Sequence, residues 1–121
     1  MFDHIGLRVK DLKAASRLYE AMLAPLGHVA GPRGDAYAGF GPKDAPALWL
    51  HLDPQAKNKG CHLALRASSR EAVDRFHAAG LRAGAKDNGA PGLRADYAPN
   101  YYGAFLLDAD GNNVEAVCML K

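Results

Sequence analysis

Three side chains able to hold a metal fall on the same side of strand-like runs. His4 lies in Phe2 to Val9, where Ile5, Leu7 and Val9 alternate with His4, Gly6 and Arg8, the period of a β-strand. His62 stands likewise opposite Cys61, Leu63 and Leu65, and Glu115 opposite Val114, Ala116 and Cys118. Each is expected on the strand face turned away from the packed core. Two neutral imidazoles and one carboxylate suit a divalent cation such as Zn, Fe, Mn or Ni and leave coordination positions for a substrate oxygen. Taken singly, each would be an ordinary hydrogen-bonded or solvated strand residue.

Repetition sets the two histidines apart. His62-Leu63-Ala64-Leu65-Arg66 echoes His4-Ile5-Gly6-Leu7-Arg8. Both runs lead into helical periodicity. After the first, Asp11 offers an N-cap, and Leu12, Ala15, Leu18, Tyr19, Met22, Leu23 and Leu26 recur at helical spacing until Gly27. After the second, Ser68 with Glu71 reads as a capping box, and Ala72, Val73, Phe76 and Ala79 form an apolar stripe that Gly80 closes.

Between the halves, His28 to Leu52 reads as three strands, the clearest being Ala47 to Leu52, with Leu48, Leu50 and Leu52 on one face and Trp49 and His51 on the other. Asp53 to Gly60 is polar and aperiodic, the expected connection between module one (residues 1 to 53) and module two (60 to 121) of a single domain. A Gly- and Pro-rich stretch precedes two last strands, Tyr101 to Leu107 and Asn113 to Leu120, joined by the turn Asp108 to Asn112. The element order is strand, helix, three strands, twice over. Related by pseudo-symmetry, the modules would turn His4 and His62 toward one concave surface.

The bulk properties are compatible with this. With 121 residues, 49% of them hydrophobic, the chain can bury a core without disulfides. Fifteen basic residues against thirteen acidic ones are scattered, which argues against nucleic acid as a partner. No apolar run approaches the roughly 20 residues of a membrane span, and the N-terminus lacks a signal h-region, so the expected location is the cytoplasm. Cys61 and Cys118 lack metal or redox spacing and are expected as free thiols. Asp108-x-Asp110-x-Asn112 begins like an EF-hand loop, but Asn113 and Met119 stand where that loop needs Gly and Glu.

The chain resembles the glyoxalase, bleomycin-resistance and extradiol-dioxygenase superfamily, the vicinal oxygen chelate superfamily. The resemblance rests on Asp3-His4-Ile5-Gly6-Leu7-Arg8-Val9, on Gly60-Cys61-His62-Leu63-Ala64 and on Leu107-Asp108-Ala109-Asp110-Gly111-Asn112-Asn113-Val114-Glu115, with Ala109 where the family usually has Pro. It implies an α+β fold of two paired βαβββ modules forming an open, cup-shaped mixed sheet. It also implies one divalent metal on His4, His62 and Glu115.

Glyoxalase I adds a Glu in the last strand of the first module, where this chain offers Trp49 or His51 and no carboxylate. Extradiol dioxygenases carry an acid–base His and a Tyr near the penultimate strand; here Tyr97, Tyr101 and Tyr102 are available, but no His follows His77. Fosfomycin-modifying relatives need clustered cations around a phosphonate. The expectation is a glyoxalase-like lyase or isomerase acting on a small oxygen-chelating substrate. Glu115 and Tyr102 are its catalytic candidates, and Trp49, His51 and Tyr101 its substrate-binding ones. The alternatives are extradiol dioxygenase-like or thiol-transferase activity, or a metal-free drug-binding protein. A homodimer is expected, with modules paired within a chain or exchanged between chains.

Overall fold

The computed structural model describes residues 1–57 and 60–121. Asn58 and Lys59, inside the expected inter-module connection, lie outside the described residues.

Alternation in the first run makes β1 (Ile5–Val9), burying Leu7 and Val9 while Gly6 and Arg8 stay exposed. Asp11 caps α1 (Leu12–Leu23) as its side chain accepts the Ala14 N–H at 3.1 Å, satisfying a donor that the first turn leaves orphaned. Leu18, Tyr19, Met22 and Leu23 form the buried stripe. Pro25 then forces a short 3₁₀ turn over Ala24–Leu26, which ends at Gly27 with φ 88, a left-handed conformation that glycine adopts without penalty. Three strands follow: β2 (Val29–Arg33), β3 (Tyr37–Gly41) and β4 (Leu48–Leu52).

Module two repeats the order as β5 (His62–Arg66), α2 (Arg70–Arg82), β6 (Lys86–Leu93), β7 (Tyr102–Leu107) and β8 (Asn113–Cys118). Two details differ from the sequence expectation. Ser69, not Ser68, caps α2 by accepting the Ala72 N–H, which puts Glu71 too early for a capping box. Gly80 does not end the helix either: it is buried inside α2, where a Cβ would meet Leu106 Cδ1 at 2.3 Å and Met22 Cβ at 3.5 Å. Gly80 is there so that α2 can approach β7 and α1 closely. The Gly- and Pro-rich stretch is β6, whose pairing with β7 slips between Asp87 and Gly89 and again between Gly89 and Gly92. Bulges accommodate residues that a regular strand would not.

Both modules have the same topology. The strand orders are β1-β4-β3-β2 and β5-β8-β7-β6, with the first and last strand of each module parallel and the remaining pairs antiparallel. These are two four-stranded sheets; β1 and β5 each end their own. One apolar cluster joins Leu7, Leu48 and Leu50 of the first sheet to Leu63, Leu106 and Val114 of the second through Met22 and Phe76 of the helices. Fully burying such a side chain stabilises by about 1.5–3 kcal/mol. The helix-bearing faces meet in this core, which leaves the helix-free faces, with the candidate residues, turned away from it. A polar tie also crosses between modules, where the buried Tyr19 hydroxyl donates to Asp108 Oδ2 at 2.6 Å. No helix among the described residues is long and apolar enough to cross a membrane.

Candidate functional site

Glu115 lies mid-strand in β8, paired with Ala64 on one side and Phe105 on the other. Only 1% of it is exposed, although its strand face is not covered by a helix. Neighbouring side chains cover it instead. His62 Nε2 lies 2.8 Å from Oε1, and the Tyr101 hydroxyl donates to Oε2. The close approach of Tyr101 depends on Gly103, where a Cβ would stand 3.2 Å from the tyrosine ring. Partial burial first, and then the hydrogen bond and charge of Glu115, push the Tyr101 hydroxyl up to about 12. It therefore remains a proton donor at neutral pH. Phe105 forms the floor, its ring centroid 6.3 Å from that of His62 and 5.4 Å from the Arg94 guanidinium carbon.

On the first module, His4 immediately precedes β1. Its Nδ1 is 2.6 Å from Asp3 Oδ1, both side chains being largely exposed. His4 borders an apolar pocket shared with Phe2, His28, Leu63 and Leu65. The His28 ring nitrogen Nδ1 is buried there without a partner among the described residues, and burial lowers the pKa of this histidine.

Trp49 and His51 occupy the helix-free side of β4. The Trp49 ring packs over Gly39, where a Cβ would meet it at 2.7 Å, and stacks at a tilt on Tyr37, 6.3 Å between centroids. His51 lies over Gly6, 3.3 Å from where a Cβ would be. Register identifies which of the two corresponds to Glu115. Gly6 pairs with Trp49 as Ala64 pairs with Glu115, and Gly39 faces Trp49 as Phe105 faces Glu115. Trp49 is the counterpart of the carboxylate. His51 corresponds to Val117.

The structure thus brings His62, Glu115 and Tyr101 together and leaves His4 apart. Among the described residues no three His, Cys, Asp or Glu side chains converge as a metal site. Tyr102, the catalytic candidate, points the other way: its hydroxyl donates to Asp74 Oδ1 at 2.6 Å and its ring lies 5.2 Å from the Arg70 guanidinium carbon, on the side of α2. Because Phe105 is the register partner of Glu115, odd-numbered residues of this segment share its face, and Tyr101 takes the position beside the carboxylate. Phe105 and Arg94 carry no motif. Phe105 could have been found from the alternation that separates it from Ala104 and Leu106, but Arg94 depends on bulges that no periodicity signals.

The donor set fits half of a metal centre. Two ligands on one ion at about 2.1 Å lie about 3 Å apart, close to the separation of His62 Nε2 and Glu115 Oε1. The imidazole of His4 is of the type such a centre lacks.

Comparison with known folds agrees with the paired modules. A glyoxalase/bleomycin resistance protein from Albidiferax ferrireducens T118 is 29% identical over 98% of each chain, with a TM-score of 0.85. A glyoxalase/bleomycin resistance protein/dioxygenase family enzyme from Burkholderia phytofirmans PsJN covers 98% of each chain at 18% identity and a TM-score of 0.76. A glyoxalase/dioxygenase from Nostoc punctiforme is 20% identical over 100% of this chain and 92% of its own, with a TM-score of 0.74. Protein-family models and curated proteins give no match.

Proposed function

For a chain that belongs by fold to the glyoxalase/bleomycin resistance protein/dioxygenase superfamily, we propose a glyoxalase-like lyase or isomerase that uses one divalent metal to act on a small oxygen-chelating substrate. The observation that carries this reading is the buried Glu115 carboxyl, 2.8 Å from His62 and hydrogen-bonded by Tyr101 on a face that no helix covers. A carboxyl buried on an open face is supported by what it binds.

His62 and Glu115 would hold the metal from one chain and His4 from a second, in a homodimer whose β1 and β5 edges meet across the interface. When bound, the ion supplies Lewis-acid polarisation of adjacent substrate oxygens. Tyr101 orients Glu115 through Oε2 and keeps its own proton at neutral pH, so the pair can hold or pass a proton beside the substrate. Phe105 keeps the floor apolar and excludes water from that step. Trp49 and His51, carried on the face that bears His4, would wall the substrate from the partner's side.

The test is metal analysis of the purified protein together with chain mixing. His4→Ala and Glu115→Gln homodimers should each lose bound metal, while co-expressing the two variants should restore about one site in the mixed dimer, because one interface then carries the intact set. A monomer with full metal occupancy, or a Glu115→Gln protein that retains all its metal, rules the reading out. A second reading, a metal-free binder of small aromatic ligands, is favoured by one observation: both Glu115 oxygens already have protein partners. Metal-free protein that binds such a ligand undiminished would select it.

A further inference from the structure

Arg94 is a fixed cation with no carboxylate partner among the described residues. It follows the end of β6, where the slipped ladder leaves two carbonyls to the guanidinium: Nη1 donates to Gly92 O at 2.9 Å and Nη2 to Ala90 O at 2.7 Å. The missing side chains at Gly89 and Gly92 make room for it, since a Cβ would stand 3.2 Å from Nη2 at the first and 3.1 Å from Nη1 at the second. Its backbone is held as well, with the Arg94 N–H donating to Tyr101 O at 2.7 Å and its carbonyl accepting the Tyr97 N–H at 2.9 Å. Three other arginines have acidic partners, Arg8 with Asp53, Arg33 with Glu20 and Arg75 with Glu71; Arg94 is distinguished instead by the two backbone carbonyls that hold its guanidinium over Phe105.

Its location gives this meaning. Arg94 lies over the same Phe105 ring that His62 contacts, so the guanidinium and the His62 imidazole border one apolar floor. Tyr101, tied to Arg94 through its backbone, is also the residue that holds Glu115. An arginine has five N–H donors in a planar fork, and the backbone carbonyls take only two. The remaining donors match the two oxygens of a carboxylate, with Phe105 and the edge-on Tyr97–Tyr101 pair, 5.1 Å between ring centroids, beside an apolar or aromatic frame.

The geometry points to Arg94 as the anion-reading residue of this site, which makes the substrate class a small carboxylate-bearing molecule with an apolar or aromatic body. This rests on the reading of the His62 and Glu115 face as the substrate site, and it adds which chemical group the substrate must carry. The carboxylate lies on Arg94, and the body crosses Phe105 toward His62.

Benzoate and its neutral isostere benzamide test it, titrated into the purified protein and followed by calorimetry and by the Arg94 Nε–Hε resonance. Benzoate should bind about tenfold or more tightly than benzamide, the range of a charge-assisted pair, and should shift the Arg94 resonance while benzamide does not. Arg94→Gln should abolish the preference. Arg94→Lys, which keeps the charge and loses the fork, should retain only part of it. Wild-type protein stripped of metal by a chelator should keep the preference, so a failure of the metal reading leaves this one standing. Equal binding of benzoate and benzamide, an unmoved Arg94 resonance, or a preference kept in Arg94→Gln would overturn it. So would inorganic phosphate displacing benzoate with equal affinity, since the site would then read charge and not a planar carboxylate.

Discussion

Trp49 stands in the first module where Glu115 stands in the second: each is the register partner of the third residue of its module's histidine-led run, Gly6 and Ala64 respectively. The two positions are filled in complementary ways. An indole lies over Gly39 in one module, and a carboxyl lies beside Phe105 in the other. Large and small residues have exchanged strands.

This equivalence predicts a gain of ligand. Trp49→Glu would place a second carboxylate where the pseudo-symmetry of the proposed centre calls for one. The variant should retain zinc against a competing chelator about tenfold more strongly than the wild type, because affinity rises with the number of charged ligands. It should also lose some stability, as the Trp49 contact with Tyr37 is lost. Unchanged retention would show that Trp49 does not face the metal.

Tyr101 provides a prediction about pH. Its hydroxyl is pushed up to about 12 by partial burial and by Glu115, above the ordinary value near 10. A group whose folded pKa is raised contributes stability below its unfolded pKa, and that contribution disappears as pH rises from about 10 through about 12. Ultraviolet titration at the phenolate band should show a late-ionising tyrosine that disappears in Tyr101→Phe and moves earlier in Glu115→Gln. If Glu115→Gln leaves that step in place, burial alone holds the proton.

The inter-module tie predicts a loss of stability with no change in the site. Asp108 accepts from Tyr19, from the backbone of Asp110 and Asn112, and from the Asn112 side chain. Tyr19→Phe removes one of these four. A hydrogen bond to a carboxylate is worth about 1.5–3 kcal/mol, and the remaining partners put the loss near the lower end. Urea unfolding should show this at an unchanged slope; a loss below about 0.5 kcal/mol would deny the tie a structural role.

Gly80 sets two effects against each other. Alanine would gain about 1 kcal/mol of helix propensity, but its methyl would overlap Leu106 and crowd Met22, and overpacking a tight core costs about 1–3 kcal/mol. Leu106 is fully buried, so it has little room to yield, and Gly80→Ala should lower the melting temperature. A higher melting temperature would mean that α2 can move away from β7 without cost.

The sequence by itself determined the element order, the two modules and the strand faces on which His62 and Glu115 lie, because alternation and helical spacing are local and the His-led echo marks the repeat; His4 falls just ahead of β1. It placed Asp11 as a cap for the same reason. It could not place Ser69 over Ser68, since both serines are good caps and packing of the Val73 and Phe76 stripe chooses between them. Nor could it select Tyr101 over Tyr102, because adjacent residues point to opposite faces and only the pairing of Phe105 with Glu115 fixes which face is which. The burial of Glu115 is tertiary in origin, since His62 reaches it from a strand 53 residues away in sequence. The fixing of Arg94 is close in sequence, on the carbonyls of Ala90 and Gly92. It nevertheless escapes a sequence reading because it depends on ladder slips at Gly89 and Gly92, where pairing with β7 and not any local periodicity decides which backbone groups are left free.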